Sequence, residues 1–178
     1  DVLHKIYAED FPETYDNELD DAVVYIGPHR FNEIIDTQFG MQTIGELLLS
    51  PTRTFAPILK DILVNHFHAV HGLIHCSGGG QTKCLKYLPA PLRIVKDNLF
   101  TPPEIFRIIQ SASGSDDREM YQVFNMGTRM EIYTTEAEAN NIINIANGYG
   151  VAAQVIGRVE ASDKKEVVIT TPNGLLQY

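Results

Sequence analysis

Cysteine is scarce in this chain. Cys76 and Cys84 are the only two among 178 residues, and they lack the C-x-x-C spacing of a redox pair, so both are read as reduced thiols outside any disulfide framework. Basic residues are also few. Fourteen Lys and Arg stand against 23 Asp and Glu, a formal charge of −9 that repels polyanions and excludes a general nucleic-acid binder. A small phosphorylated ligand needs only a local cradle and is not excluded. No apolar run approaches the roughly 20 residues that span a bilayer, which argues against a membrane segment. The N-terminus lacks the basic and apolar sections of a signal peptide, and the expected location is cytoplasmic. No internal repeat or low-complexity tract is visible. The first residue is Asp1 and not Met, which suggests a piece of something longer.

What is present is an ordinary globular composition, 44% hydrophobic. A chain of this length buries roughly 70% of the surface its unfolded form exposes, enough for one compact domain. Residues 1–46 are acidic and irregular, interrupted by the short apolar run Val23 to Ile26, and read as a solvated arm or linker with one strand. Ile58, Leu59, Ile62, Leu63 and Phe67 follow helical spacing, with the helix starting near Thr52 to Thr54 so that Pro57 falls in its first turn. Val70 to His75 and Leu92 to Val95 read as strands. Thr101-Pro102-Pro103-Glu104 has the form of a capping box, opening a helix with Ile105, Ile108 and Ile109 inward and ending at Ser113-Gly114. Arg129 to Thr134 reads as a half-buried strand with Met130 and Ile132 inward. Thr135-Glu136-Ala137-Glu138 forms a second box, before a helix whose inner face is Ala139, Ile142, Ile143 and Ala146 and whose left-handed stop is Gly148. Val151 to Val159 and Glu166 to Thr170 are β-branched runs, and Asn173-Gly174 marks a hairpin. The sum is an α+β fold, a mixed sheet with helices packed on it.

The chemistry concentrates in HFHAVHGLIHCSGGGQTKC, residues 66–84. As a metal site it is weak, because His71 and His75 on one strand would stand roughly 13 Å apart, too far to share an ion. His66 and His68 suit packing and the end of a helix. As a redox site it is weaker still. As an anion loop it has more support: Ser77-Gly78-Gly79-Gly80 directly follows a strand and precedes a short helical segment, Gln81 to Leu88, so that backbone N–H groups can converge on an anion. A glycine run can also be a simple turn, and this one matches neither phosphate-loop consensus. Phe124-Asn125-Met126-Gly127 is a second glycine site. Its Asn carboxamide can serve a polar ligand or cap its own turn.

Four stretches taken in order, LLLSPTRTF (47–55), HGLIHCSGGG (71–80), MYQVFNMGTRM (120–130) and AQVIGRVEASDKKEVVI (153–169), resemble the C-terminal domain of the phosphoribosylformylglycinamidine cyclo-ligase (aminoimidazole ribonucleotide synthetase) family. The resemblance implies that 47–178 is that domain. It further implies an ATP- and Mg²⁺-dependent ligase whose nucleotide and metal site lies mainly on an N-terminal domain outside this chain, with no metal ligands here. It also implies a phosphoribosyl substrate, contact with the chain's own N-terminal domain, and a homodimer in the full-length protein. Ser77, Gly78, Gly79 and Gly80 would hold phosphate, Arg53 would supply charge, Asn125 and Gly127 would face the substrate, and His75 would be the candidate for proton traffic. Gly79→Val is then expected to weaken phosphoribosyl binding with the fold intact. Related ATP-using families share the domain plan, among them formylglycinamide ribonucleotide amidotransferase, selenophosphate synthetase, thiamine monophosphate kinase and a hydrogenase-maturation protein. A non-catalytic binding or dimerisation module is a further alternative. The chain departs from the family pattern at Gln81 to Leu85 and at Arg129. Without the N-terminal domain the piece is expected not to turn over.

Overall fold

The computed structural model describes residues 2–89 and 91–178, which divide into two compact units. One comprises the residues up to Pro51 together with Pro102–Met120, and the other Thr52–Thr101 with Tyr121–Tyr178. None of the described helices is long and apolar enough to cross a membrane.

In the first unit the acidic segment is structured. It contains helix α1 (Ile6–Asp10), the antiparallel hairpin β1 (Ile34–Thr37) and β2 (Gly40–Thr43), and helix α2 (Ile44–Leu48). The strand expected at Val23 to Ile26 is absent. Asp20 accepts the N–H of Ala22 and turns the chain into a 3-10 segment over Asp21–Val23, a local side-chain bond that competes with extended backbone. Thr43 and Glu46 form a reciprocal capping box that starts α2. Val2, Ile44 and Ile108 make this unit's core, with Leu3, Ile35, Leu47 and Ile109 packed around them.

In the second unit, helix α3 (Ala56–Asn65) carries Pro57 in its first turn, where a missing N–H costs little. Ile58 and Ile62 are buried, whereas Leu63 is exposed and Phe67 falls beyond the helix in a 3-10 turn and is 72% exposed, so the apolar stripe is narrower than its spacing suggested. Strand β3 (Gly72–His75) and strand β4 (Leu92–Lys96) follow. Helix α4 (Glu104–Ser113), of the first unit, begins after Pro103 with no side-chain cap, so Thr101 does not close the expected box, while Gly114 at φ 71° ends it as foreseen. Helix α5 (Asp117–Val123) was not legible in the sequence.

Strand β5 (Met130–Tyr133) pairs antiparallel with β3. Its pattern runs opposite to expectation: the fully buried residue is Glu131, and Met130 and Ile132 are only half-buried. Helix α6 (Glu136–Gly148) packs Ile142 and Ala146 on Ile58 and Ile62 of α3. Each such buried Ile contributes about 1.5–3 kcal/mol. Thr135 makes no side-chain cap: the Glu138 N–H donates to the Thr135 carbonyl (3.1 Å), and the Glu138 carboxylate faces His66 and His68. The left-handed residue after α6 is Gly150 at φ 69°, two positions beyond the Gly148 stop that the sequence suggested.

Strands β6 (Arg158–Ala161), β7 (Glu166–Thr171) and β8 (Gly174–Gln177) complete a mixed sheet in the order β6-β4-β7-β8, with β4 and β7 parallel and the Asn173-Gly174 hairpin joining β7 to β8. Residues 151–157 are not a strand. Asn98 and Gln154 bond that segment to the chain after β4, and Gly157 comes so close that an added Cβ would lie 1.9 Å from the Val95 carbonyl oxygen. The architecture is α+β, with helices packed against mixed and antiparallel sheets.

Candidate functional site

The chain leaves β3 at His75 and turns at once. The Ser77 N–H donates to the His75 carbonyl (2.8 Å) and the Gly80 N–H to that of Ser77 (3.0 Å), which closes a tight loop over 77–80. Gly79 at φ 94° and Gly80 at φ 48° adopt backbone that side chains disfavour. Gly80 is also required sterically, since a Cβ there would lie 2.5 Å from the Phe124 carbonyl oxygen and 2.7 Å from that of Tyr121. The N–H groups of Gly78 and Gly79 have no acceptor among the described residues. A Cβ at Gly78 would meet nothing within 4 Å. Two donors of the loop are therefore left without a partner, while the Gly80 N–H is spent on the turn.

After the loop the chain forms a 3-10 segment, Gly80–Lys86, in place of a regular helix. From it Gln81 points inward and is fully buried. Its carboxamide nitrogen donates to the carbonyls of Asn125 (2.6 Å) and Thr128 (3.0 Å), so it bolts the glycine loop to the Phe124–Gly127 turn. That turn places Met126 at φ 48° and Gly127 at φ 95°, and the Asn125 Oδ1 accepts the Gly127 N–H at 2.9 Å. Asn125 thus caps its own turn and keeps only its amide N–H pair for a ligand.

Beneath both turns lies a buried polar network that sequence reasoning missed. Lys96 Nζ forms an ion pair with Glu131 and also donates to the Gln81 backbone carbonyl (2.6 Å) and Oε1 (3.1 Å). Glu131 in addition accepts from the Cys76 thiol (3.1 Å) and the Tyr133 hydroxyl (2.8 Å). Burial, followed by the Glu131 charge, pushes both the Cys76 thiol and the Tyr133 hydroxyl upward. The sequence pattern pointed the other way, since it turned Met130 and Ile132 inward and ended the neighbouring strand at Val95, before Lys96.

The remaining expected residues fall as follows. His75 is exposed and meets the Phe55 ring edge-on with centroids 6.1 Å apart. Arg53, two residues before Phe55, donates from its guanidinium to the Gly150 carbonyl (3.0 Å), outside the loop's own hydrogen bonds. Arg129 contributes its carbonyl to the Cys76 N–H (2.8 Å). His66 and His68 share Glu138, whose carboxyl is held low by Asn141 first and then by the two imidazoles. Cys76 and Cys84 are free and buried. Among the described residues no three His, Cys, Asp or Glu gather as a metal-binding group. The expectation for Gly79→Val needs one correction: at φ 94° a branched side chain is strained, so that variant cannot separate binding from folding.

Comparison with known proteins gives the family. Residues 31–170 match the family model described as AIR synthase related protein, C-terminal domain. The phosphoribosylformylglycinamidine cyclo-ligase of Methanocaldococcus jannaschii is 40% identical over 118 residues, 66% of this chain and 33% of the relative. That of Pseudothermotoga lettingae is 32% identical over 147 residues, 82% of this chain and 42% of the relative. The chain thus spans 33% and 42% of the lengths of these two relatives. Among solved structures, the E. coli hydrogenase maturation protein HypE superposes with a TM-score of 0.51 at 16% identity, covering 76% of this chain and 44% of that one, a likeness of fold alone. With its glycine loop, its Asn-Met-Gly turn and its mixed sheet, the chain belongs to the C-terminal domain family of AIR synthase related proteins.

Proposed function

We propose that this chain is the substrate-holding C-terminal part of a phosphoribosylformylglycinamidine cyclo-ligase, converting formylglycinamidine ribonucleotide and ATP to aminoimidazole ribonucleotide, ADP and phosphate in de novo purine biosynthesis. The observation that carries this reading is the 77–80 loop, whose Gly78 and Gly79 N–H groups have no acceptor among the described residues. Such a cradle binds phosphate without needing a basic protein overall. The names of the relatives at 40% and 32% identity support the choice of reaction.

In this reading Gly78, Gly79 and the Ser77 hydroxyl hold the substrate's 5′-phosphate, and Gly80 shapes the loop. Asn125 donates its amide N–H to the substrate, and Gly127 lets the turn present it. Arg53 adds positive charge nearby, and His75 carries protons. ATP with Mg²⁺ supplies the phosphoryl group that activates the amide oxygen, held mainly by an N-terminal domain. The loop's backbone donors suit a phosphate. The work of this chain is then positioning and charge stabilisation. The full-length enzyme is cytoplasmic and homodimeric, and this chain without its N-terminal partner domain does not turn over.

Calorimetric titration tests the reading. The chain is expected to bind formylglycinamidine ribonucleotide and not MgATP. Binding of MgATP without the ribonucleotide would overturn the assignment of the cradle. Binding of neither would move the site to one that forms only with the partner domain.

A further inference from the structure

Lys83 lies in the 3-10 segment directly after the glycine loop, within the stretch where the chain departs from the family pattern. Its Cβ would be 3.4 Å from a Cβ built on Gly79, so its stem lies across that glycine. Its Nζ then reaches back to donate to the Ser77 hydroxyl at 2.7 Å. The side chain therefore spans the loop from Gly79 to Ser77. No carboxylate pairs with it among the described residues, although the chain carries a net charge of −9. An ammonium bonded to a neutral hydroxyl keeps its full charge and two further N–H donors.

We infer that Lys83 is the cation of the cradle, contacting the phosphate monoester that the Gly78 and Gly79 N–H groups hold. The Ser77 hydroxyl orients the ammonium while the site is empty and shares the anion when it is filled. Lys96 cannot take this role, because it is buried at 1% exposure and committed to Glu131 and Gln81. Lys86, in the same segment, is exposed and serves as a control. A lysine here acts as a point charge, which suits the three oxygens of a dianionic monoester. The inference deepens the phosphoribosyl reading and rests on it for the identity of the ligand.

The test is a heteronuclear NMR titration of this chain with ribose 5-phosphate, ribose, formylglycinamidine ribonucleotide and MgATP, following the Gly78 and Gly79 amides and the Lys83 side chain. Ribose 5-phosphate should shift all three and ribose none. Lys83→Met should weaken ribose 5-phosphate at least about tenfold, as loss of a charge-assisted hydrogen bond does. Lys83→Arg should stay within a few-fold of wild type, and Lys86→Met should be unchanged. Equal binding by Lys83→Met and wild type would overturn the role of Lys83. So would wild type that shows no shift with ribose 5-phosphate. A ribonucleotide that binds no more tightly than ribose 5-phosphate would instead remove the substrate reading and leave Lys83 in place. A cradle that shifts with MgATP and not with the monoesters would overturn both.

Discussion

Lys96 on β4 and Glu131 on β5 form an ion pair in which the two side chains are only 1% and 3% exposed. The pair connects the four-stranded sheet to the β3-β5 ladder, and through Gln81 it reaches both glycine turns. Such a pair need not add net stability over an apolar one, but removing one partner strands a buried charge. Lys96→Met is therefore expected to cost about 3–5 kcal/mol in urea denaturation. The double variant Lys96→Met with Glu131→Gln should lose clearly less than the sum of the two single changes. Additive losses would show that the residues do not act as a pair.

The two neighbouring glycines Gly78 and Gly80 should respond in opposite ways. Gly80→Ala forces a Cβ to within 2.5 Å of the Phe124 carbonyl, and overpacking of this kind costs about 1–3 kcal/mol. Gly78→Ala meets nothing within 4 Å and should leave the melting temperature nearly unchanged. Gly78→Val, open to solvent on the same side, is the variant expected to weaken phosphate binding in a folded protein. If Gly78→Val binds ribose 5-phosphate as wild type does, the loop does not hold phosphate.

Acid resistance should depend on Glu166. This residue at the start of β7 is 1% exposed. It accepts from Lys164 (3.0 Å), from Arg93 (2.6 and 2.7 Å), from Ser162 (3.1 Å) and from Gln177. Lys164 first, then Arg93, Gln177 and Ser162, hold its carboxyl at about 2 against an ordinary value of 4.5. A depressed folded value means stability that is present above 4.5 and lost as pH falls toward about 2. Glu166→Gln should thus lower the melting temperature at neutral pH and flatten its dependence between pH 4.5 and 2. A variant profile parallel to wild type would show that other carboxylates dominate acid unfolding.

The thiols should be inert in the folded chain. Cys76 and Cys84 are both buried, and burial pushes both upward, which removes the thiolate that reacts. Ellman's reagent at pH 8 should label neither in native buffer and both in denaturant. Rapid native labelling of Cys76 would mean that the loop above it opens.

Where the signal was local, the sequence was readable. Helical spacing placed Ile58 with Ile62 and Ile142 with Ala146, and Asn173-Gly174 announced its hairpin, because those patterns are properties of neighbouring residues. The glycine loop was legible in the same way, as three residues free to adopt positive φ. Helix α5 and the 3-10 turn at Asp21–Val23 were missed because their apolar spacing is weak. The Val151 to Val159 run was misread as a strand, since β-branched residues favour extended backbone whether or not a ladder partner is within reach.

Sequence by itself determined the α+β class, the order of the main helices and strands, and the place of the glycine loop after a strand. Tertiary structure alone decided which donors that loop offers, how the Asn125 turn is bolted to it, and that Glu131 and Lys96 face inward together. The physical reason is range. Backbone propensity and amphipathic spacing act over a few residues, whereas a buried charge is tolerable only beside its partner, and Lys96 and Glu131 meet across a separation of 35 residues that no local pattern encodes.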